Sequence, residues 1–234
     1  MKSKNSVKNI AIVAAAGSGS RMKTTENKQF LMLGGYPVLA VTLLKLSKSK
    51  HIDEIIIVAK ESEIVTVSKL ISEYSISKVT SIVPGGDTRQ ESVYSGLKEI
   101  TDDSIVLIHD GARPFFSENL LIELIESANK YGATAPGIVP KDTIAVVSKD
   151  GFFKEITERA TLRALQTPQV FKSGLIKDAH QKAREEKKEF TDDCSLLTYY
   201  GGNVFIAEGE ANNIKITVPE DIPIAKLLME ENEF

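Results

Sequence analysis

The chain has no tryptophan, one cysteine and three histidines in 234 residues, and aromatics make up 6% of it. A lone cysteine cannot close an internal disulfide, so packing alone must hold the fold and the cytoplasm is the expected compartment. His51, His109 and His180 show no metal-ligand spacing, and there is no Gly-x-Ser-x-Gly elbow. No apolar run is long enough to span a membrane, and residues 1–5 lead into no convincing signal-peptide core. Charge of one sign is also missing. The net value of −3 provides no basic stripe for nucleic acid, although local cations can still bind a phosphorylated substrate. No membrane or nucleic-acid partner is expected.

Two well-known phosphate loops are absent as well. No Gly-Lys-Ser/Thr follows a four-residue spacer, so there is no Walker loop. The third small residue of the dinucleotide fingerprint is replaced by Met22, and Tyr36-Pro37-Val38-Leu39 stands where a ribose-binding acid belongs. A nicotinamide dehydrogenase is disfavoured.

What is present begins with an uncharged apolar run over 9–14, leading into Ala15-Ala16-Gly17-Ser18-Gly19-Ser20-Arg21-Met22. The run predicts a buried first strand. Small residues after it let backbone N–H groups approach an anion, and Arg21 and Lys28 add full charges. The competing reading is an ordinary strand-to-helix turn with solvated charges.

Further strands are predicted over 54–59, 78–83, 104–109 and, more weakly, 134–139, with helices over 37–49, 63–74, 89–100 and 118–131. Pro37 suits a first helical turn and Ser117 an N-cap. This alternation implies an α/β fold with a mostly parallel sheet covered on both faces. The pattern breaks between 140 and 165, where 143–147 and 152–156 flank Asp150-Gly151 and read as an inserted β-hairpin. Helices over 173–186 and 192–200, strands over 204–207 and 214–218, a helix from 219 and a fraying tail over 229–234 complete the chain. With 42% hydrophobic residues, 1–234 reads as one domain, with 140–165 as a protruding arm.

Glycines and charges gather where strands end. Pro84-Gly85-Gly86-Asp87-Thr88-Arg89 follows the third strand and His109-Asp110-Gly111-Ala112-Arg113-Pro114 the fourth. Asp110 could hold a divalent cation between phosphates; more plainly, Asp87 and Asp110 could be turn or helix caps. His109 reads as a satisfied structural histidine and Cys194 as packing.

These segments, with Gln166-Thr167-Pro168-Gln169, Thr191-Asp192 and Asn213-Ile214-Lys215-Ile216-Thr217, occur in one order. The series resembles the 2-C-methyl-D-erythritol 4-phosphate cytidylyltransferases over residues 10–221, nearly the whole chain. The resemblance implies a Rossmann-like fold, CTP and a polyol phosphate as substrates, Mg²⁺ or another divalent cation, and a homodimer joined through the hairpin arm. By that resemblance Ala15, Ala16, Gly17, Gly19, Gly86, Asp87, Ser92 and Gly111 line the nucleotide site. Arg21, Lys28, Arg159 and Lys215 take the catalytic roles. Asp110, Arg113, Thr143, Thr167, Thr191 and Thr217 surround the acceptor, with Asp110 also the metal ligand and Thr143 and Arg159 reaching across the dimer.

Three positions depart from the family pattern. Ala14 stands where proline is common, Gly111 where alanine is common, and Asn212 where a carboxylate often precedes the Asn-Ile-Lys run. Cys194 is shared in flavour with ribitol 5-phosphate cytidylyltransferases, while segment 160–167 favours the methylerythritol enzymes. The glycine-rich loop would also suit a sugar-1-phosphate uridylyl- or guanylyltransferase, or an inactive nucleotide-binding regulator. The implied chemistry needs no histidine base, because the attacking phosphate oxygen is already anionic.

Overall fold

Short runs of β-branched residues, spaced by amphipathic helices, set the architecture of the computed structural model, which describes residues 7–17, 22 and 27–231. The strands are β1 (Lys8–Ala14), β2 (Met32–Leu33), β3 (Tyr36–Pro37), β4 (Glu54–Ala59), β5 (Val79–Pro84), β6 (Ser104–Asp110), β7 (Ala133–Ile138), β8 (Ala145–Val147), β9 (Phe153–Ile156), β10 (Ala164–Leu165), β11 (Gln169–Lys172) and β12 (Phe205–Glu208). The helices are α1 (Val38–Lys48), α2 (Ile64–Glu73), α3 (Arg89–Lys98), α4 (Glu118–Tyr131), α5 (Ser173–Glu185), α6 (Asp193–Tyr199) and α7 (Asp221–Glu231).

β1 pairs in parallel with both β4 and β6, and β4 pairs in parallel with β5. The chain therefore steps outward on one side of β1, then crosses to the other side at β6. That reversal opens a crevice beyond the carboxyl ends of β1 and β6, the place where an open α/β sheet binds its ligand. Ala14 and Asp110 are register partners at its mouth. The sheet continues through β11 to β7, with β12 parallel to β7 and only β10 and β11 running against the rest.

Alternation along the strands builds two cores. Ala11, Val13, Ile55, Ile57 and Leu107 face α1, α2 and α4, whereas Ile10, Ile12, Ile56, Val58 and Ile108 face α3, α5 and α6. α3 lies so close that a Cβ on Gly96 would stand 2.7 Å from Ile12 Cγ2, so glycine is required there. Cys194 belongs to this second core, and burial pushes its thiol pKa upward, in keeping with a packing role. A third, smaller cluster of Leu33, Val38, Ala112, Phe115, Ile216, Ala225 and Leu228 clamps rim segments against α7.

The predicted elements recur within a residue or two at most ends, and Ser117 caps α4 by accepting from Leu120 N–H. Four expectations change. Residues 214–218 are not a strand, because partners other than a ladder take their backbone groups. Ile216 N–H donates to the Ala112 carbonyl, and Thr217 and Val218 N–H donate to the Asp221 carboxylate. The closing helix begins at Asp221 and runs to Glu231, with Met229 packed against the third cluster rather than fraying, and 232–234 of the expected tail lie outside the described residues. Pro37 is the cap of α1, one residue before its first turn. β11, unforeseen, is four residues with a single pair of apolar side chains, too short to stand out by pattern.

The hairpin forms where expected. Among the described residues β8 and β9 pair only with each other, and Gly151 takes φ +85° in the turn. Val147, Phe152, Phe153 and Ile156 are exposed on it.

Candidate active site

The crevice is a cavity of about 550 Å³ between the loop after β1, the start of α3, the end of β6 and segment 213–217. Of the nucleotide-site residues the sequence points to, Ala16, Gly17, Gly86, Asp87 and Ser92 line it; Lys28, Asp110, Lys215 and Thr217 join them. Gly19 and Arg21 lie outside the described residues. Ala15 and Gly111 sit beneath the cavity floor instead. Ala15 N–H donates to the Val58 carbonyl at 2.7 Å and Gly111 N–H to the Ala14 carbonyl at 3.0 Å, so both amides belong to the sheet. The expectation that backbone N–H groups after the first strand approach an anion therefore does not hold for the Ala15 amide.

The loop after β1 is held from behind. Gln29 donates its side-chain amide to the Ala15 carbonyl, and Asn27 donates to the Gly17 carbonyl at 3.2 Å. The opposite wall is held by a capping box that the sequence pattern did not bring out. Thr88 Oγ1 accepts from Glu91 N–H, and the Glu91 carboxylate accepts from Thr88 and Asp87 N–H. Thr88, and not Asp87, is the cap of α3; Asp87 stays exposed at the cavity edge. Ser92 Oγ accepts from Gly86 N–H at 3.2 Å and donates to the Thr88 carbonyl, so it shapes the turn as well as lining the cavity.

Asp110 is the electrostatic centre. Lys215 Nζ lies 2.8 Å and Arg113 Nε 3.6 Å from its Oδ2, and Arg89 Nε lies 3.7 Å from its Oδ1. Burial alone would raise its pKa, but Lys215, Arg89 and Arg113 outweigh that and hold it well below the usual carboxylate range. The side chain is ionised at neutral pH and its role is not that of a cap.

Behind it runs a chain of hydrogen bonds. Asp110 N–H donates to Thr167 Oγ1 at 3.1 Å, and Thr167 Oγ1 lies 3.0 Å from His109 Nδ1. His109 Nε2 lies 3.0 Å from the Arg113 carbonyl, which can only accept, so Nε2 carries the proton. Burial pushes the His109 pKa down to about 4, leaving a neutral ring whose Nδ1 accepts from the Thr167 hydroxyl. The histidine is structural, as expected, and Thr167 supports Asp110 from below.

Segment 213–217 is fixed by Asn213, which is fully buried. Its Nδ2 donates to the Thr167 carbonyl at 3.0 Å, and its own carbonyl accepts from Arg113 Nη1 at 2.7 Å. This places Lys215 on Asp110 and brings the Ile216 carbonyl 3.0 Å from Lys28 Nζ. Thus residues 188 apart in sequence meet at one rim.

Thr143, Arg159 and Thr191 do not line the cavity and are exposed. Arg159 Nη1 donates to the Lys141 carbonyl at 2.9 Å, within the hairpin's base. Conversely, Gln29, Lys60, Thr88, Arg89 and Ala112 line the cavity without having been singled out. Lys60 and Arg89 could have been found by the same reasoning as Lys28, since each is the first cation after the end of a strand.

Lys28, Lys60 and Lys215 give the cavity a cationic wall suited to a polyphosphate, while the Arg89 guanidinium is turned to Asp110 and Asp193. Asp110 and Asp87 are its carboxylates, and among the described residues no three acidic, cysteine or histidine side chains form a metal cage. Such a donor set fits a divalent cation carried mainly by phosphate oxygens and water.

Comparison with known proteins points the same way. The family model described as 2-C-methyl-D-erythritol 4-phosphate cytidylyltransferase matches residues 9–231. A protein of that name from Clostridium novyi (strain NT) is 49% identical over 224 residues, covering 95% of this chain and 97% of that relative. One from Clostridium acetobutylicum is 46% identical over 225 residues, covering 96% and 98%. The crystal structure of 4-diphosphocytidyl-2C-methyl-D-erythritol synthase from Anaerococcus prevotii superposes with a TM-score of 0.84 at 34% identity, covering 96% of each chain. The Thermus thermophilus 2-C-methyl-D-erythritol 4-phosphate cytidylyltransferase gives 0.75 at 28% identity, covering 95% of this chain and 98% of that one.

Proposed function

The chain belongs to the 2-C-methyl-D-erythritol 4-phosphate cytidylyltransferase family, and from that membership we propose how its residues share the reaction. It is a CTP-dependent nucleotidyltransferase of isoprenoid precursor synthesis. It joins the cytidylyl group of CTP to 2-C-methyl-D-erythritol 4-phosphate, giving 4-diphosphocytidyl-2-C-methyl-D-erythritol and pyrophosphate.

A phosphate oxygen of the acceptor attacks the α-phosphorus of CTP in line. A new P–O bond forms as the bond to the β-phosphate oxygen breaks, and both electrons leave with pyrophosphate. No proton needs to be removed, so the work left to the protein is placement and charge. Lys28, fixed on the Ile216 carbonyl, meets charge growing on the α-phosphoryl oxygens, together with Arg21. The Gly17 and Gly86–Thr88 backbones hold the nucleotide, with Ser92 keeping the second turn in shape. Lys215, Arg113 and Thr217 bind the acceptor around Asp110. Thr167 and the base of the 213–217 segment keep that group in place. Bound on the triphosphate beside Asp110, Mg²⁺ or another divalent cation would offset charge on the reacting and leaving oxygens.

Thr143, Thr191 and Arg159 complete the acceptor site, Thr143 and Arg159 from a second copy. Residues 1–234 act as one nucleotidyltransferase domain and 140–165 as its dimerisation arm. Support for the arm comes from its exposed apolar side chains, because an isolated two-stranded hairpin needs a surface to bury them against. No helix among the described residues is long and apolar enough to cross a membrane, and the lone buried cysteine suits a reducing compartment, so we place the enzyme in the cytoplasm.

The observation that carries this assignment of roles is the convergence of Lys28, Lys215 and Asp110 on one cationic cavity. Pyrophosphate release with a panel of nucleoside triphosphates and polyol phosphates tests it. CTP with the methylerythritol phosphate should be fastest, with ATP and GTP nearly inactive and ribitol 5-phosphate a poor acceptor. Equal rates with a purine triphosphate would overturn the reading of the nucleotide loops.

A further inference from the structure

Arg89 opens α3 directly behind the Gly86–Thr88 turn, and its guanidinium is shared between two carboxylates. Nη1 donates to Asp193 Oδ2 at 2.7 Å, while Nε lies 3.7 Å from Asp110 Oδ1. Asp193 is buried at the start of α6, and its other oxygen meets His180 Nε2 of α5 at 2.9 Å. Its backbone N–H donates to Gln169 Oε1 of β11 at 3.2 Å. Burial would raise the Asp193 pKa, but Arg89 and His180 reverse this and keep it ionised. An ionised carboxylate only accepts, so His180 presents Nε2–H to it. Its Nδ1 is buried with no hydrogen-bond partner among the described residues.

Packing does not explain this chain of groups. A buried ion pair gives up much of its Coulombic gain to desolvation, and apolar residues of similar volume often serve as well or better. The geometry offers a reason. Lys215 and Arg113 both sit at Oδ2 of Asp110, whereas Arg89 faces Oδ1. Cations on one oxygen alone would let the carboxylate swing toward them; a cation fixed on the other side resists the turn. A planar guanidinium suits the task, because pinning one nitrogen fixes where the others stand.

We propose that Asp193, held by His180, anchors Arg89 as a positioning residue that sets the orientation of the Asp110 carboxylate for cytidylyl transfer. The inference rests on the reading of Asp110 as a group that contacts substrate or its metal. Misplacement by about 1 Å can cost on the order of 10²-fold in rate, so a small rotation at Asp110 is enough to matter.

The experiment is a double-mutant cycle on the full-length enzyme. Asp110→Asn comes first and should lower kcat by roughly 10²-fold, leaving a measurable rate. Wild-type activity in that variant would overturn the reading of Asp110, and this inference with it. Next, Arg89→Met and Asp193→Asn are made together, so that neither charge is left buried alone, in both backgrounds. In the Asp110 enzyme kcat should fall roughly 10–100-fold with KM for CTP changed less than about threefold; in the Asp110→Asn enzyme the further loss should stay below about threefold. A kcat within threefold of wild type, or the full loss repeated in the Asp110→Asn background, would overturn the inference while leaving the Asp110 reading intact. Arg89→Lys covers the case in which the paired variant does not fold. It keeps a cation for Asp193 but loses the rigid planar fork that fixes one nitrogen opposite Asp110, so the same coupled loss of kcat is expected and a wild-type kcat would refute it.

Discussion

At the sheet rim, Asp110 is enclosed by Lys215, Arg113 and Arg89, and Arg113 and Arg89 are each held in turn by a second group, the Asn213 carbonyl and Asp193. In the hairpin the balance is reversed. Phe152 is 74% and Phe153 64% exposed, and Arg159 bonds only to a nearby backbone carbonyl among its described hydrogen bonds. The rim turns its polar groups inward on one another, while the hairpin leaves apolar ones facing out. Apolar side chains gathered on one exposed element, rather than scattered singly, mark an interaction surface. On the proposed dimer the contrast is a division of labour, in which one chain supplies most of a site and displays the remainder for a second copy.

The largest effect expected from breaking that division comes from mixing two variants. Lys28→Ala should lower kcat by roughly 10²–10³-fold with little change in KM, as when one donor to developing charge is removed. Arg159→Ala should also be severely impaired. If Arg159 serves the neighbouring site, a mixed dimer carries both defects in one site and neither in the other. An equimolar, fully exchanged mixture then recovers about a quarter of wild-type activity, since half the dimers are mixed and half their sites are intact. Proven exchange with no recovery would mean that Arg159 works within its own chain.

The same contrast decides what the sequence could reveal. β1, β4 and β6 are β-branched, apolar along most of their length and bounded by turns, so they stand out in one dimension, and the hairpin announces itself through Asp150-Gly151. Lys28, Asp110 and Lys215 were legible because each follows a strand or sits in a segment of the family's motif order. Arg89, Gln29 and Asn213 were not understood from sequence, since their partners lie 104, 14 and 46 positions away. Segment 214–218 misled for a related reason. Its apolar alternation is that of a strand, but Ile216 packs into the third cluster and the neighbouring amides go to Asp221. Pattern reports which side chains are buried; it does not report which carbonyl accepts each N–H.

The next effect is on stability and belongs to the rim. His109 is buried as the neutral ring with its pKa pushed down to about 4 from an ordinary 6.5. Below pH 6.5 the unfolded chain takes up a proton at this position that the folded chain refuses, so the stability is full above 6.5 and is lost as pH falls toward 4. The span corresponds to about 3 kcal/mol. Denaturant titrations between pH 7 and pH 4, in chelator, should show this loss, and His109→Asn should flatten it. An unchanged slope in that variant would mean that His109 is not the group responsible.

The smallest effect tests the hairpin. Gly151 holds φ +85° in the turn, and a Cβ there would meet nothing within 4 Å, so alanine brings backbone strain without a clash. That strain should cost about 1 kcal/mol in each hairpin. An isolated hairpin is marginal in water, so when the arm orders firmly only against its partner the strain falls on the dimer, which loses about 2 kcal/mol through two such hairpins and has its dissociation constant raised roughly 30-fold. By contrast, a Cβ on Gly86 would stand 2.4 Å from Glu91 Cβ and disturb the nucleotide turn directly. Gly151→Ala should therefore weaken association in sedimentation velocity and leave nucleotide binding by the monomer unchanged, whereas Gly86→Ala should do the opposite. If Gly151→Ala weakened nucleotide binding and left association intact, the hairpin would be part of its own chain's site and the contrast with the rim would fail.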